Sequence, residues 1–158
     1  MKKALIHSIL IITFFLGNSA LALALSVDDI LKAQQPPPGV IFEIVSGQPN
    51  LLDKLLPNIN KDIERLRKRF PELPIAIVTH GLEQLALTSN NSKNAKTAHN
   101  LVKQLVNENE VKVHVCETFA GWKGVNAEDF PDYVDVSPAG PAQINDYLEL
   151  DYELITLP

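Results

Sequence analysis

The sequence predicts an α/β domain built on a largely parallel sheet. Two observations carry that expectation. Five short apolar or alternating runs recur, at residues 40–45, 74–79, 111–116, 133–136 and 152–157. Between several of them lie stretches whose apolar residues fall three or four apart, the spacing of one helical face. Strands that alternate with helices favour parallel pairing, and right-handed crossovers place helices on both faces of the sheet. With 158 residues, 46% of them hydrophobic and 21% charged, the chain suits one domain.

The N-terminus has the anatomy of a secretory signal peptide. Lys2 and Lys3 precede an apolar run from Ala4 to Leu16, and small residues two apart offer cleavage after Ala22 or Ala24. The alternative is an uncleaved anchor, but the run falls short of the ~20 residues that a spanning helix needs. The expected division is therefore a signal peptide over 1–24, an N-terminal arm and Pro-rich linker over 25–38, and the α/β domain over 39–158. Losing residues 1–24 removes Lys2 and Lys3 and moves the net charge from −5 to −7. The mature protein is expected to be periplasmic or secreted, free of the membrane, and unsuited to nucleic acid.

Along the arm, Ser26 to Gln35 reads as a short helix with Ser26 as its N-cap. Gln34-Gln35-Pro36-Pro37-Pro38-Gly39 is a stiff linker, and the packed domain is expected to begin near Gly39. Val40–Val45 is the first strand, ended by Ser46-Gly47. Pro57 suits a first helical position, and Ile59, Ile63, Leu66 and Phe70 then mark one face of a helix. Arg65, Arg67, Lys68 and Arg69 read as a solvated helix surface. Pro74–Thr79 is the second strand and runs into His80-Gly81. Leu82 to Thr88 is ambiguous, and Ser89 to Ser92 is a polar turn. Ala98, Leu101, Val102, Leu105 and Val106 mark a further amphipathic helix.

The third strand, Val111–Cys116, alternates strictly. Val111, Val113 and Val115 share one face, and Lys112, His114 and Cys116 share the other. Asn126–Phe130 reads as a capped turn and Tyr133–Val136 as a fourth strand. Pro141 opens a helix carrying Ile144 and Leu148. Tyr152–Leu157 closes the domain.

Parallel sheets place ligands at the C-terminal ends of their strands, and His80-Gly81 and Cys116 both stand at such ends. Cys116 is the first candidate. The residues after it, Glu117-Thr118-Phe119, can start a helix, whose backbone N–H groups favour a thiolate over a thiol. Glu117 works against that. The chain has one cysteine, so an internal disulfide is excluded. In an oxidising compartment the lone thiol is a buried small hydrophobe, an inter-chain link or a working nucleophile.

His114 stands roughly 6–7 Å from Cys116 at a rise of ~3.3 Å per residue, too far for a hydrogen bond. It is a satisfied strand histidine, or it shapes the site or an interface. His80 is a base, a ligand or a simple strand-end residue, and Gly81 permits close backbone approach. No H-x-x-x-H or C-x-x-C spacing supports a metal. No G-x-G-x-x-G, Walker A or G-x-S-x-G pattern supports a nucleotide cofactor or a serine nucleophile. The expectation is no metal and no cofactor.

Several runs taken together resemble one family. They are Ile77-Val78-Thr79-His80-Gly81-Leu82-Glu83, Val111–Cys116, Glu128-Asp129-Phe130, Val134–Gly140 and Ile144–Tyr147 through Ile155. In order and spacing, from about Gly39 to Pro158, they are similar to the DsrE/DsrF-like family. The resemblance implies a three-layer α/β/α domain with a mostly parallel five-stranded sheet. It implies a homo-oligomer (dimer, trimer or hexamer). It also implies a sulfur relay in which Cys116 carries a persulfide and exchanges it with a thiol or sulfane-sulfur partner protein. His80, Gly81, His114, Glu117 and Thr118 would shape that site. Glu117 and Asp151 depart from the family pattern, which has glycine at both places. The rival expectation is a non-enzymatic oligomeric binding or assembly module in which Cys116 packs. Whether the protein is an enzyme stays open at this point.

Overall fold

The structure is a computed structural model that describes residues 25–157. The expected signal peptide lies outside the described residues. The architecture is a three-layer α/β/α sandwich. Its five strands are β1 (Val40–Ile44), β2 (Ile75–Thr79), β3 (Lys112–Cys116), β4 (Asp135–Ser137) and β5 (Glu153–Leu157). They lie in the order β4-β3-β2-β1-β5, and every pairing is parallel. The helices are α1 (Val27–Leu31), α2 (Leu51–Arg69), α3 (Lys96–Asn107), α4 (Glu117–Trp122) and α5 (Gly140–Leu148).

Topology decides which helix covers which face. The chain steps in one direction from β1 to β4, so right-handed crossovers keep α2, α3 and α4 on one side. The return from β4 to β5 runs the other way and carries α5 across to the opposite side. The burial agrees. Leu52, Leu56, Ile59, Ile63 and Leu66 of α2, Val102 and Leu105 of α3, and Ala120 of α4 join Phe42, Ile44, Ile77 and Val115 in one core. Ile144 of α5 joins Ile41 and Val78 in a smaller one.

Several expectations are corrected. Pro57 does not open α2; it stands inside a helix that begins at Leu51. A proline there removes the bond to the carbonyl four residues back, but Leu52 and Leu56, each 1% exposed, fix the preceding turns in the core. The core also reaches beyond Gly39 toward the N-terminus, because Val27 and Ile30 of α1 belong to it. Ser26 caps α1 through a capping box with Asp29, as its sequence suggested, although the helix stops at Leu31.

The basic cluster is not simply solvated. Arg65 pairs with Asp28 of α1 and with Asp62, Arg69 donates to the carbonyl of Ala33, and Arg67 donates to the carbonyl of Asn109. These residues tie the arm and a distant loop to α2. Leu148, expected on the inner face of α5, is 40% exposed.

One position at which the resemblance is imperfect has a backbone reason. Asp151 adopts φ 59°, the left-handed region where glycine is strain-free and where aspartate is among the better-tolerated alternatives.

Candidate functional site

At the C-terminal edge of the sheet lies a cavity of about 650 Å³. Its walls come from four places in the chain. Val45, Ser46 and Gly47 follow β1; His80, Gly81 and Leu82 follow β2; Cys116 ends β3; Ala139 and Pro141 border the start of α5. Thr118, Phe119, Trp122 and Lys123 supply the side formed by α4 and its end. Here β3 turns into α4 on one face while β4 turns into α5 on the other. That divergence is the topological switch point where open parallel sheets leave a crevice.

A second cavity, of about 570 Å³, opens at the other end of the sheet among Pro36, Pro37, Phe70, Leu73 and Pro74. Its lining is mostly proline and apolar side chains, with Arg69 and Glu72 as its charged members and no cysteine or histidine.

Cys116 is buried at 4% exposure yet borders the cavity. It is the N-cap of α4, and its Sγ accepts from the Phe119 N–H at 3.4 Å. Its backbone is held from below by Gln84. The Cys116 N–H donates to Gln84 Oε1 at 2.6 Å, and Gln84 Nε2 donates to the Cys116 carbonyl at 3.3 Å. Gln84 is fully buried and works as a bidentate splint for the cysteine backbone.

Glu83 makes a companion clamp. Its carboxylate accepts from Thr79 Oγ1 at 2.6 Å, from the Gly81 N–H at 2.8 Å and from the Ser46 N–H at 2.7 Å. The Leu82 N–H returns to the Ser46 carbonyl at 2.7 Å. The loops after β1 and β2 are thus joined around one buried carboxylate. Gly81 is required by this closeness, since a Cβ there would stand 2.3 Å from Glu83 Oε2 and 2.4 Å from the Ser46 carbonyl oxygen. The residues 82–87 that read ambiguously form a 3-10 segment, which delivers Glu83 and Gln84 to these places.

His80 pairs with Glu43 across 2.9 Å, and Glu43 in turn accepts from Thr156. The imidazole therefore reaches back over β1 and β5 while its strand end borders the cavity. A side chain at Gly140 would collide with it, because a Cβ there would be 2.6 Å from His80 Cβ.

The other expected residues divide. Thr118 borders the cavity, with its hydroxyl bonded to the Pro138 carbonyl. Glu117 is exposed and does not line it. His114 does not face it either. Its Nδ1 lies 3.1 Å from Ser137 Oγ and its Nε2 lies 2.9 Å from the Tyr147 hydroxyl. Ser137 donates to Gln143 Oε1, so it accepts from His114 Nδ1–H, and a neutral ring with Nε2 accepting from Tyr147 completes the bonding of the imidazole. Burial pushes its pKa below the ordinary 6.5, with nearby Asp135 opposing and Lys112 assisting.

Of the two alternatives for His114, the satisfied strand histidine fits the geometry: the ring is covered by this chain's own α5, and Tyr147 and Ser137 satisfy it. Three residues that border or brace the cavity went unassigned in the sequence: Gln84, Trp122 and Lys123. Trp122 and Lys123 lie between Gly121 and Gly124, in a run that matches neither G-x-G-x-x-G nor the Walker A pattern. Glu83 enters the sequence reading as the last residue of the run from Ile77, with no role of its own.

Among the described residues, no cluster of three or more His, Cys, Asp or Glu side chains could hold a metal ion. No helix there is long and apolar enough to cross a membrane.

No family model and no curated protein matches the sequence. Solved structures do match its shape. MTH1491 from Methanobacterium thermoautotrophicum, described as a protein of unknown function, aligns with TM-score 0.58 and 17% identity over 75% of this chain and 97% of its own. The ychN protein from E. coli aligns with TM-score 0.54 and 15% identity over 75% and 99%. BT1422 from Bacteroides thetaiotaomicron, also of unknown function, aligns with TM-score 0.52 and 13% identity over 74% and 94%. At these identities the likeness is one of fold: this chain is similar in architecture to three proteins over nearly their whole length.

Proposed function

We propose that this protein carries sulfane sulfur on Cys116, in the manner of the DsrE/DsrF-like family that its sequence resembles. The observation that carries the reading is the place of the single cysteine, at the switch point of a parallel sheet and on the border of a 650 Å³ cavity. In the forward step the Cys116 thiolate attacks the outer sulfur of a donor persulfide. A new S–S bond forms on Cys116, the donor's S–S bond breaks, and the donor leaves as a thiolate. An acceptor thiolate reverses the chemistry. The Phe119 N–H, already directed at Sγ, stabilises negative charge there. Gln84 keeps the cysteine backbone in place.

Intact mass after incubation with a sulfane-sulfur donor tests the reading. A gain of one sulfur atom, removed by reductant and absent from Cys116→Ser, is the expected result. No gain, together with resistance to alkylation, would overturn it.

One observation favours the second reading, an assembly module with a structural cysteine: Cys116 is only 4% exposed and serves as a helix cap. A Cys116→Ser protein with full function in its host would select it. Export and self-association belong to both readings. Mass of the exported protein and light scattering test them.

A further inference from the structure

The cavity beside Cys116 differs in charge from the chain that forms it. The protein has 19 acidic and 14 basic residues, yet no carboxylate lines this cavity, while Lys123 lines it and the His80 imidazole is taken up by Glu43. The acids nearby in sequence or contact are engaged or turned away. Glu83 is buried under three donors, and Glu43 is bonded to His80 and Thr156. Among the described residues, Lys123 makes no ion pair; its ammonium stands 5.5 Å from the centre of the Phe119 ring.

The rim is apolar. Trp122 is 75% exposed and its ring centre lies 6.2 Å from that of Phe119, and Val45 is 44% exposed. A cavity of this size, mostly apolar with a few convergent polar groups, has the build of a small-molecule site.

We infer that this cavity binds a small organic anion with a flat apolar body. The body packs against Trp122 and Phe119, and the anionic head meets Lys123. On the sulfur-carrier reading, the inference names the donor as a small molecule that joins an apolar group to an anionic sulfane sulfur, such as an aryl thiosulfonate. The Cys116 thiolate attacks the terminal sulfur, the S–S bond to the sulfonyl group breaks, and its electron pair departs with the aryl sulfinate. Charge and oxidation level balance without any further reagent.

Calorimetric titration of the purified protein with naphthalene-2-sulfonate tests the ligand class, with uncharged naphthalene-2-methanol and inorganic sulfate as comparisons. The aryl sulfonate is expected to bind best. Trp122→Ala should weaken it ~tenfold, the weight of one aromatic contact. Lys123→Ala should weaken it about three- to fivefold, the weight of an exposed charge pair. Both side chains are exposed, so the fold is retained in each variant. Absence of binding, equal binding of the uncharged alcohol, or indifference to both variants overturns the inference.

Persulfide formation from benzenethiosulfonate against thiosulfate separates it from the reading it rests on. If neither these donors nor a persulfide modifies Cys116, and the thiol resists alkylation, while naphthalene-2-sulfonate still binds, the carrier reading falls and the ligand class stands. If both modify it at equal rates in the wild type and in both variants, the carrier reading stands and the inference falls.

Discussion

On the sheet face covered by α1, α2 and α3, Phe42, Ile44, Ile77 and Val115 meet aliphatic side chains along the length of two long helices. On the face covered by α5, the buried apolar cluster comprises Ile41, Val78 and Ile144, with Tyr147, Tyr152 and Leu154 at its margin. Beside it lies a polar network, in which His114 bonds to Ser137 and Tyr147 and Ser137 bonds to Gln143. A strand presents alternate residues to opposite faces, so one sequence serves both. The first face supplies most of the hydrophobic stabilisation. The second fixes where α5 lies and hence where one wall of the cavity stands.

That contrast can be broken by truncation. Phe42→Ala on the first face should cost about 4 kcal/mol, in the range for buried aromatic truncation, read from the midpoint of denaturant unfolding. Glu83→Ala should cost about 3 kcal/mol, because it leaves buried donors from Thr79, Gly81 and Ser46 without an acceptor. It should also raise the exchange rates of the Ser46 and Gly81 amides. Ile144→Ala on the second face should cost about 2 kcal/mol, the low end for aliphatic truncation, since its cluster is small and has room to relax. Equal losses at Phe42 and Ile144 would remove the distinction between the faces.

The polar network sharpens the contrast through pH. The His114 pKa is lowered in the folded protein, so the unfolded chain takes up a proton near pH 6.5 that the folded chain resists. The stability contributed by neutral His114 is full above that pH and declines as pH falls through the lower folded value. His114→Gln should flatten the acid side of the stability profile. An unchanged slope would place the pH dependence elsewhere. The smallest effect is expected at Arg65, whose pairs with Asp28 and Asp62 lie at the surface. Arg65→Ala should leave the unfolding midpoint within the spread of neutral surface substitutions, and what little it changes should fade in high salt.

The strands and their parallel pairing were legible because alternation and apolar runs survive any tertiary context. The two C-terminal strand ends, His80-Gly81 and Cys116, could be identified for the same reason. What escaped notice was polar and buried. Glu83 and Gln84 are as fully enclosed as any leucine of the core, but a pattern reading assigns charge and amide to solvent. Gln84 depends on Cys116, 32 residues away, and Glu83 on Ser46, 37 residues away, beside its near donors Thr79 and Gly81; local spacing carries no trace of the distant partners. The start of α2 was misplaced for a related reason: a proline is a strong local signal, and the long-range burial of Leu52 and Leu56 outweighs it.

The pairing of β1 with β5 reaches across the chain, with the Thr156 hydroxyl meeting Glu43 over a separation of 113 residues. Closing so long a loop is entropically costly and slow. While a ribosome is still translating the intervening residues, β1 has an open edge, a row of unpaired donors and acceptors along Val40–Ile44 that invites other strands. Of the five strands β5 is made last, so until it arrives the β1 edge is the side on which the unfinished sheet is open to wrong pairing.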